Sequence, residues 1–412
     1  MGVTKRNRDF RDFWLGHTVS AVGTHVTAVA LPLLATLVLD AGPTGVAAVA
    51  TAGYLPNVLL PLLAGHWLER RRRRPVMIGA DLLRAAALFA VPTAYMIGVL
   101  TVPLLVVIAF VVGALAVVFD IGGFAYVPTL VDESDLPAAN RAVQGSTTAA
   151  QVAGPGLAGL LTQAAGPALA VVVDAVSYLG SALGVAAARR PEPSPAPATD
   201  SGKTGLRLVV TDPYLRALTA HAAIYNGASQ ILTVNLVVYL INERGLSAGL
   251  FGLALSASGA GAFAGTMLAL RMAGLLGYGP AFLASLALST GIPLAIAVLP
   301  GSGLALALSL AVVQFVSGIG LGSANVLSVT LRQVIVPQGS LARTNGGYRT
   351  LIYGVLPLGS AAGGVLGHGL GSRAGVAIGA AGLAVSTLPI LSRRIRRLRS
   401  LETVRAGRAV RP

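Results

Sequence analysis

Long apolar runs alternate along the chain with short polar breaks, and the runs are too long for the elements of a water-soluble domain. A bilayer core of about 30 Å is crossed by about 20 apolar residues of helix, because helix satisfies its own backbone polar groups. Twelve runs approach or exceed that length: 13–39, 44–68, 76–99, 102–130, 139–163, 167–188, 214–241, 247–271, 279–299, 302–332, 343–366 and 373–391. The breaks carry turn chemistry, as at Asp40-Ala41-Gly42-Pro43, Gly166-Pro167 and Leu299 to Gly303. The first run follows Lys5, Arg6, Arg8 and Arg11 but exceeds the about 7 to 15 residues of a signal-peptide core, so it reads as a retained helix.

Composition agrees with a membrane class. Hydrophobic residues make up 54% of 412 and charged residues 11%, against about 25% charged in ordinary soluble domains. The absence of cysteine removes disulfides and thiolate metal sites. A net charge of +15 would suggest nucleic acid in a soluble protein. Here 27 of the 30 bases fall on the side of the membrane that holds both termini, leaving Arg244 and Arg373 opposite and Arg84 within a span. Lys and Arg accumulate on the cytoplasmic side, so both termini are expected there and no nucleic-acid partner is implied. The basic stretch from Arg393 to Arg399 suits the anionic lipid of the inner leaflet.

The two halves are related at an offset of 205. Phe110-Val111-Val112-Gly113 recurs as Phe315-Val316-Ser317-Gly318, and Asn140, Gly154 and Gly159 meet Asn345, Gly359 and Gly364. Six spans are therefore repeated in parallel orientation. The expected organisation is a six-helix bundle over 1–188, a cytoplasmic Pro-rich linker over 189–212, a second bundle over 213–392 and a basic cytoplasmic tail over 393–412. The alternate prolines Pro191, Pro193, Pro195 and Pro197 favour an extended, helix-free linker. Two similar bundles on such a linker suit alternating access.

Between spans two and three, Gly65-His66-Trp67-Leu68-Glu69-Arg70-Arg71-Arg72-Arg73-Arg74 resembles the major facilitator superfamily signature G-x-x-x-D-R-x-G-R-R/K. Asn7-Arg8-Asp9-Phe10-Arg11, Asp81-Leu82-Leu83-Arg84-Ala85, Val118-Phe119-Asp120 and Gly154-Pro155 extend the likeness over essentially the whole chain, towards the enterobactin-exporter and macrolide-efflux branch. Glu69 departs from the motif's Asp and Arg72 from its second Gly. The resemblance implies a twelve-helix, two-bundle major facilitator fold and drug:proton antiport. It also implies a gating loop (Gly65, Glu69, Arg70, Arg73, Arg74) whose acid caps span eleven and whose bases pair with an acid in span four. A topogenic loop with no gating role is the plainer alternative. Gly145, Gly154, Pro155 and Gly159 in span five resemble a shortened antiporter motif, against plain glycine packing in a chain with 51 Gly.

An ionisable side chain within a span costs at least about 2.5 kcal/mol and is a functional candidate. Four qualify as proton-coupling candidates: Asp81, Arg84, Asp120 and Asp174. Arg84 and Asp120 lie about 14 and about 17 Å from the inner ends of their spans, so depth allows them to pair across adjacent helices. Asp81, three residues before Arg84, is a competing partner. A structural ion pair is the other reading of this set. For Asp174, about 10 Å from the outer face, packing through Ser177 weighs as much as transport. The second half holds no acid within a span and offers Asn226, Gln230, Asn235, Gln314, Asn325 and Tyr353 as neutral substrate-cavity candidates, with Asn325 the repeat mate of Asp120. Such residues also hold helices together.

Asp200-Ser201-Gly202-Lys203-Thr204 lacks the first glycine and the preceding strand of a phosphate-binding loop, and the five histidines show no metal spacing. Neither an enzyme nor a cofactor or metal is indicated. The expected function is proton-coupled export of a small amphipathic molecule across the cell membrane by a monomer embedded in lipid. An uncoupled facilitator and a transport-inactive sensor are the alternatives.

Overall fold

The computed structural model describes residues 7–60, 67–68, 71–132, 135–190, 203–336, 341–396 and 398, and among them there is helix but no strand. The chain divides into two compact units, Met1–Thr199 with Ser247–Ser256, and Asp200–Leu246 with Ala257–Pro412. The first holds α1 (Arg8–Leu37), α2 (Pro43–Tyr54), α3 (Pro56–Leu59), α4 (Arg73–Met96), α5 (Val102–Leu130), α6 (Leu136–Ala165) and α7 (Pro167–Ala187). The second begins with α8 (Lys203–Thr211) and α9 (Pro213–Val238). α10 (Ala248–Leu276) follows, then α11 (Tyr278–Leu286), α12 (Gly303–Ile335), α13 (Leu341–Gly354), α14 (Leu356–Leu370), α15 (Ser372–Val385) and α16 (Arg393–Arg396).

Among the described residues ten helices are long and apolar enough to cross a membrane, against the twelve expected. Span two falls on α2, α3 and residues partly outside those described. Span five is α6, unbroken for 30 residues, but Gln144, Ser146, Thr147, Thr148, Gln151, Thr162 and Gln163 leave it too polar to be one of the ten. Span nine is not a uniform helix: α11 passes into a π turn, Ala287–Gly291, and a 3-10 stretch, Ile292–Val298, that contains Pro293, which has no N–H to donate.

In the first unit α7 packs along α1 and α4, α1 also meets α6, and α5 lies between α4 and α2. In the second, α9 packs on α14 and α15, and α12 on α11. The offset of 205 reappears in the backbone. Asn7 caps α1 through the Phe10 N–H at 2.9 Å, and Asp212 caps α9 through the Tyr214 and Leu215 N–H groups at 2.9 and 3.0 Å. Gly166 and Gly371 have φ of 83° and 86°, Gly98 and Gly303 74° and 52°, Asp40 and Gly245 48° and 63°. These are left-handed turns between helices, where a Cβ is disfavoured. A Cβ on Gly113 would strike the Gly53 carbonyl, and one on its mate Gly318 the carbonyl of Ser258, the mate of Gly53. The same helix pair therefore comes into backbone contact in both units.

The connecting segments are partly structured. Beyond the last of the linker's prolines α8 forms a short helix that buries Val209; residues 191–202, which hold those prolines, lie outside the described set. The start of the tail is anchored: Ile395 and Leu398, 1% and 5% exposed, join Tyr278, Phe282, Leu327 and Leu331 in the second unit's core, and the Gly279 N–H bonds to the Leu398 carbonyl at 2.7 Å. Three apolar residues in this arginine-rich stretch, Ile390, Ile395 and Leu398, supply the anchoring face.

Candidate functional site

Burial within the first unit singles out one polar layer, built by α1, α4 and α7. On α4, Asp81 and Arg84 are one turn apart and form an ion pair, the acid 0% and the base 3% exposed. The guanidinium also lies over two rings, 4.6 Å from the Phe119 centroid and 4.2 Å from that of Tyr178. Desolvated contacts of this type contribute up to about 2 kcal/mol. On α7, Asp174 is fully buried and its Oδ1 accepts a hydrogen bond from Ser177 Oγ at 3.0 Å. Tyr178 OH, in turn, lies 3.2 Å from Thr24 Oγ1 on α1.

The layer is incompletely satisfied. Buried atoms without a hydrogen-bond partner include His17 Nε2, Thr27 Oγ1, Asp81 Oδ2, Arg84 Nε, Asp174 Oδ2 and Ser181 Oγ. Buried polar atoms are ordinarily paired; here Ser181 faces Asp81 and Thr27 faces Asp174 without hydrogen bonds of standard geometry, so the layer is polar but loosely satisfied.

Of the two acids that competed for Arg84, Asp81 makes the ion pair. Asp120 is exposed on α5, within electrostatic reach of Arg84. Successive helical residues point about 100° apart. Phe119 is the α5 residue whose ring lies against Arg84. Asp174 packs through Ser177, as its spacing suggested.

In the second unit three of the six neutral candidates join helices. Asn226 donates to the Ile352 carbonyl at 2.8 Å, Gln230 accepts from Ser360 at 3.2 Å, and fully buried Asn235 donates to the Gly363 carbonyl at 2.9 Å. Gln314 is half-buried and Asn325 exposed, while Tyr353 is exposed with Arg349 over its ring at 5.4 Å. Among the described residues no group of three or more His, Asp or Glu is placed to hold a metal ion.

A family model for transmembrane secretion effectors matches residues 4–409. The chain belongs to that family of major facilitator transporters. Solved structures agree on the fold. A bacterial homologue of the iron transporter ferroportin in its inward-facing state is 18% identical with a TM-score of 0.74, the match covering 95% of this chain and 99% of that one. The nucleoside transporter NupG is 13% identical with a TM-score of 0.73, covering 94% and 99%. A bacterial homologue of the human lysosomal transporter Spinster is 14% identical with a TM-score of 0.71, covering 94% and 96%. At these identities the likeness shows the fold alone. No curated protein matches the chain.

Of the loop that resembles the superfamily signature, Gly65, Glu69 and Arg70 lie outside the described residues. Arg73 opens α4. Arg74 donates to the Val185 carbonyl at 3.2 Å and the Ala186 carbonyl at 2.5 Å, so it caps the last turn of α7. Helix ends leave such carbonyls unpaired and favour a cation there. In span five, Gly154 lies against His25 of α1, and Gly159 against Ala248 and Gly252 at the start of α10, a stretch that groups with the first unit. Gly145 faces open space, so it is not part of this close packing. Ser256 accepts from the Gly156 N–H at 2.7 Å, and Gln163 from the Gly249 N–H at 3.0 Å.

The sequence reading missed His17, Gly23, Thr27, Tyr178 and Ser181. The run Asp174, Ser177, Ser181 has the spacing of one helical face and carried a usable signal. Gly23 and Thr27 did not, because only the packing of α1 on α7 brings them to the acid.

Proposed function

We propose that this transporter is a proton-coupled exporter of a small amphipathic molecule, of the kind found in the enterobactin-exporter and macrolide-efflux branch that its sequence resembles. The observation that carries the reading is the excess of acid over base in the buried layer: Asp81 and Asp174 face a single Arg84. A membrane core tolerates net charge poorly. The layer is neutral only with one further positive charge, and a proton taken up and released once per cycle supplies it. The second unit, without an acid in a span, contributes the half-buried or exposed Gln314, Asn325 and Tyr353 to substrate contact.

Orientation follows the bases. Both termini and Arg70 to Arg74 lie in the cytoplasm, and the protein works as a monomer in the cell membrane. Reconstitution into liposomes with an imposed pH gradient, offered a panel of macrolides, siderophores and dyes, tests the reading. Accumulation against a concentration gradient only while the pH gradient lasts is expected. Equilibration without accumulation identifies a facilitator instead, and no flux of any compound leaves the sensor.

A further inference from the structure

Asp174 is the acid in this layer that Arg84 does not pair. Its Oδ2 is buried and makes no hydrogen bond of standard geometry, nor does Thr27 Oγ1, which faces the carboxyl group from α1 closely enough to interact with it. Asp174 is 0% and Thr27 6% exposed. One turn before Thr27, a Cβ on Gly23 would fall on Ser177 Oγ and on Asp174 Oδ1. The carboxylate and its hydroxyl partner therefore occupy a notch that exists because position 23 carries no side chain. α1 supplies the notch and one hydroxyl; α7 supplies the acid and another.

Every donor atom here is oxygen, which suits hard cations and gives transition metals none of the nitrogen or sulfur they favour. One carboxylate in excess of one guanidinium sets the charge of the occupant at one. We propose that the carboxylate seated in this notch is a monovalent-cation site, in which Asp174 Oδ2 and Thr27 Oγ1 hold the coupling ion while Ser177 fixes Oδ1, with Asp81 and Arg84 as a fixed pair beside it. This rests on the coupled-transport reading above. A proton is the ion which that reading names, and sodium is the other hard cation these oxygens accept. Tyr178 OH lies within hydrogen-bond distance of Thr24, which is exposed at the edge of the layer.

The charged and titratable groups around Asp174 come from the helices of the first unit. α4 brings Asp81 and Arg84 and α7 itself brings Tyr178, while His17 of α1 and Asp120 of α5 act on Arg84. Only Asp174 combines complete burial, an open oxygen and no cationic partner among the described residues.

The test uses the full-length protein in two formats. In liposomes, wild type, Asp174→Asn, Asp174→Glu, Thr27→Val and Asp81→Asn are given a proton gradient or a sodium gradient. Asp174→Asn is expected to exchange substrate downhill while its gradient-driven accumulation falls by about tenfold or more, the loss of about 1.4 kcal/mol of coupling. Asp174→Glu restores part of the accumulation, and Thr27→Val weakens the ion dependence without abolishing it. The gradient that drives wild type identifies the ion.

In detergent, thermal midpoints are followed from about pH 5 to about pH 9, with sodium or with choline. Wild type is expected to show an ion-dependent shift that Asp174→Asn lacks and that Asp81→Asn, which removes the excess carboxylate and leaves Arg84 to neutralise Asp174, reduces. Full accumulation by Asp174→Asn, or the same ion-dependent shift in wild type and Asp174→Asn, overturns the site. Wild type that shows the shift but accumulates nothing under either gradient keeps the site and removes the coupled-transport reading instead. Failure of Asp174→Asn to fold is covered by Thr27→Val, whose wild-type ion dependence in both formats would also overturn it.

Discussion

The Arg84 guanidinium lies 4.2 Å from the centroid of the Tyr178 ring, so α7 holds the cation of α4 by its aromatic face while Asp81 holds it by charge. Removing the cation leaves two buried carboxylates without compensation. Arg84→Leu is expected to lower stability by about 3 to 5 kcal/mol. Arg84→Lys keeps the charge but lacks a planar group to lie on two rings, and costs about 1 kcal/mol. Thermal unfolding in detergent ranks the variants. Equal losses for Lys and Leu would show that stacking, not charge, dominates.

The repeat makes a paired prediction. Gly113 and Gly318 each bring a helix backbone onto a carbonyl of its neighbour, at Gly53 and Ser258. Valine at either position forces the helices apart, at about 1 to 3 kcal/mol each. Gly79, in α4, has open space where its Cβ would be, and alanine there is neutral or slightly stabilising. If Gly113→Val unfolds no earlier than Gly79→Ala, the close approach of α2 and α5 is wrong.

How far the molecule is legible in its sequence follows from what each feature depends on. The turn at Gly166 is marked by Gly-Pro, the cap at Asp212 by Asp-Pro, and both are local. The repeat is legible because Gly113 and Gly318 sit in matching surroundings. Helix rotation is not local. Depth put Asp120 level with Arg84, but one residue of rotation gave the place to Phe119. The break in span nine was announced only by Pro293, and the notch at Gly23 needs α1 seated on α7 before it has any meaning.

Asp40 is the one non-glycine among the described residues with positive φ, at 48°, and its repeat mate is Gly245 at 63°. Aspartate tolerates this region better than most residues but still carries a Cβ penalty, partly offset by the extra chain entropy that glycine loses on folding. Asp40→Gly is therefore expected to stabilise the protein by roughly 0.5 kcal/mol. Asp40→Val, with a branched side chain in the same turn, moves the midpoint the other way, and a rise for valine would mean the turn is not left-handed.

A sided probe tests orientation. The background holds no cysteine, so a single Arg72→Cys, exposed just before α4, reports one side only. A membrane-impermeant maleimide is expected to label it in inside-out vesicles and not in intact cells. Labelling from outside intact cells would invert the arrangement of bases on which the topology rests.

Asp120 and Asp81 can be told apart by their energetic ties to Arg84. Asp120 is exposed on a strongly apolar spanning helix, and its mate Asn325 is exposed as well. A carboxylate facing lipid at this depth would cost about 2.5 to 3.5 kcal/mol, a cost that is absent where the face meets water. The amide at Asn325 shows that the equivalent fold position accepts a neutral group. Asp120→Asn is expected to change stability little, by roughly 0.5 kcal/mol at most, and to leave gradient-driven transport standing while weakening the preference for cationic over neutral substrates. Asp81→Asn strips Arg84 of its paired carboxylate and costs about 3 kcal/mol or more. Double-mutant cycles with Arg84→Leu quantify the difference: a large coupling energy is expected for Asp81 and one below about 1 kcal/mol for Asp120. The reverse ranking would restore the pair that depth alone suggested, and would move the charge balance of the layer from α4 to the meeting of α4 and α5.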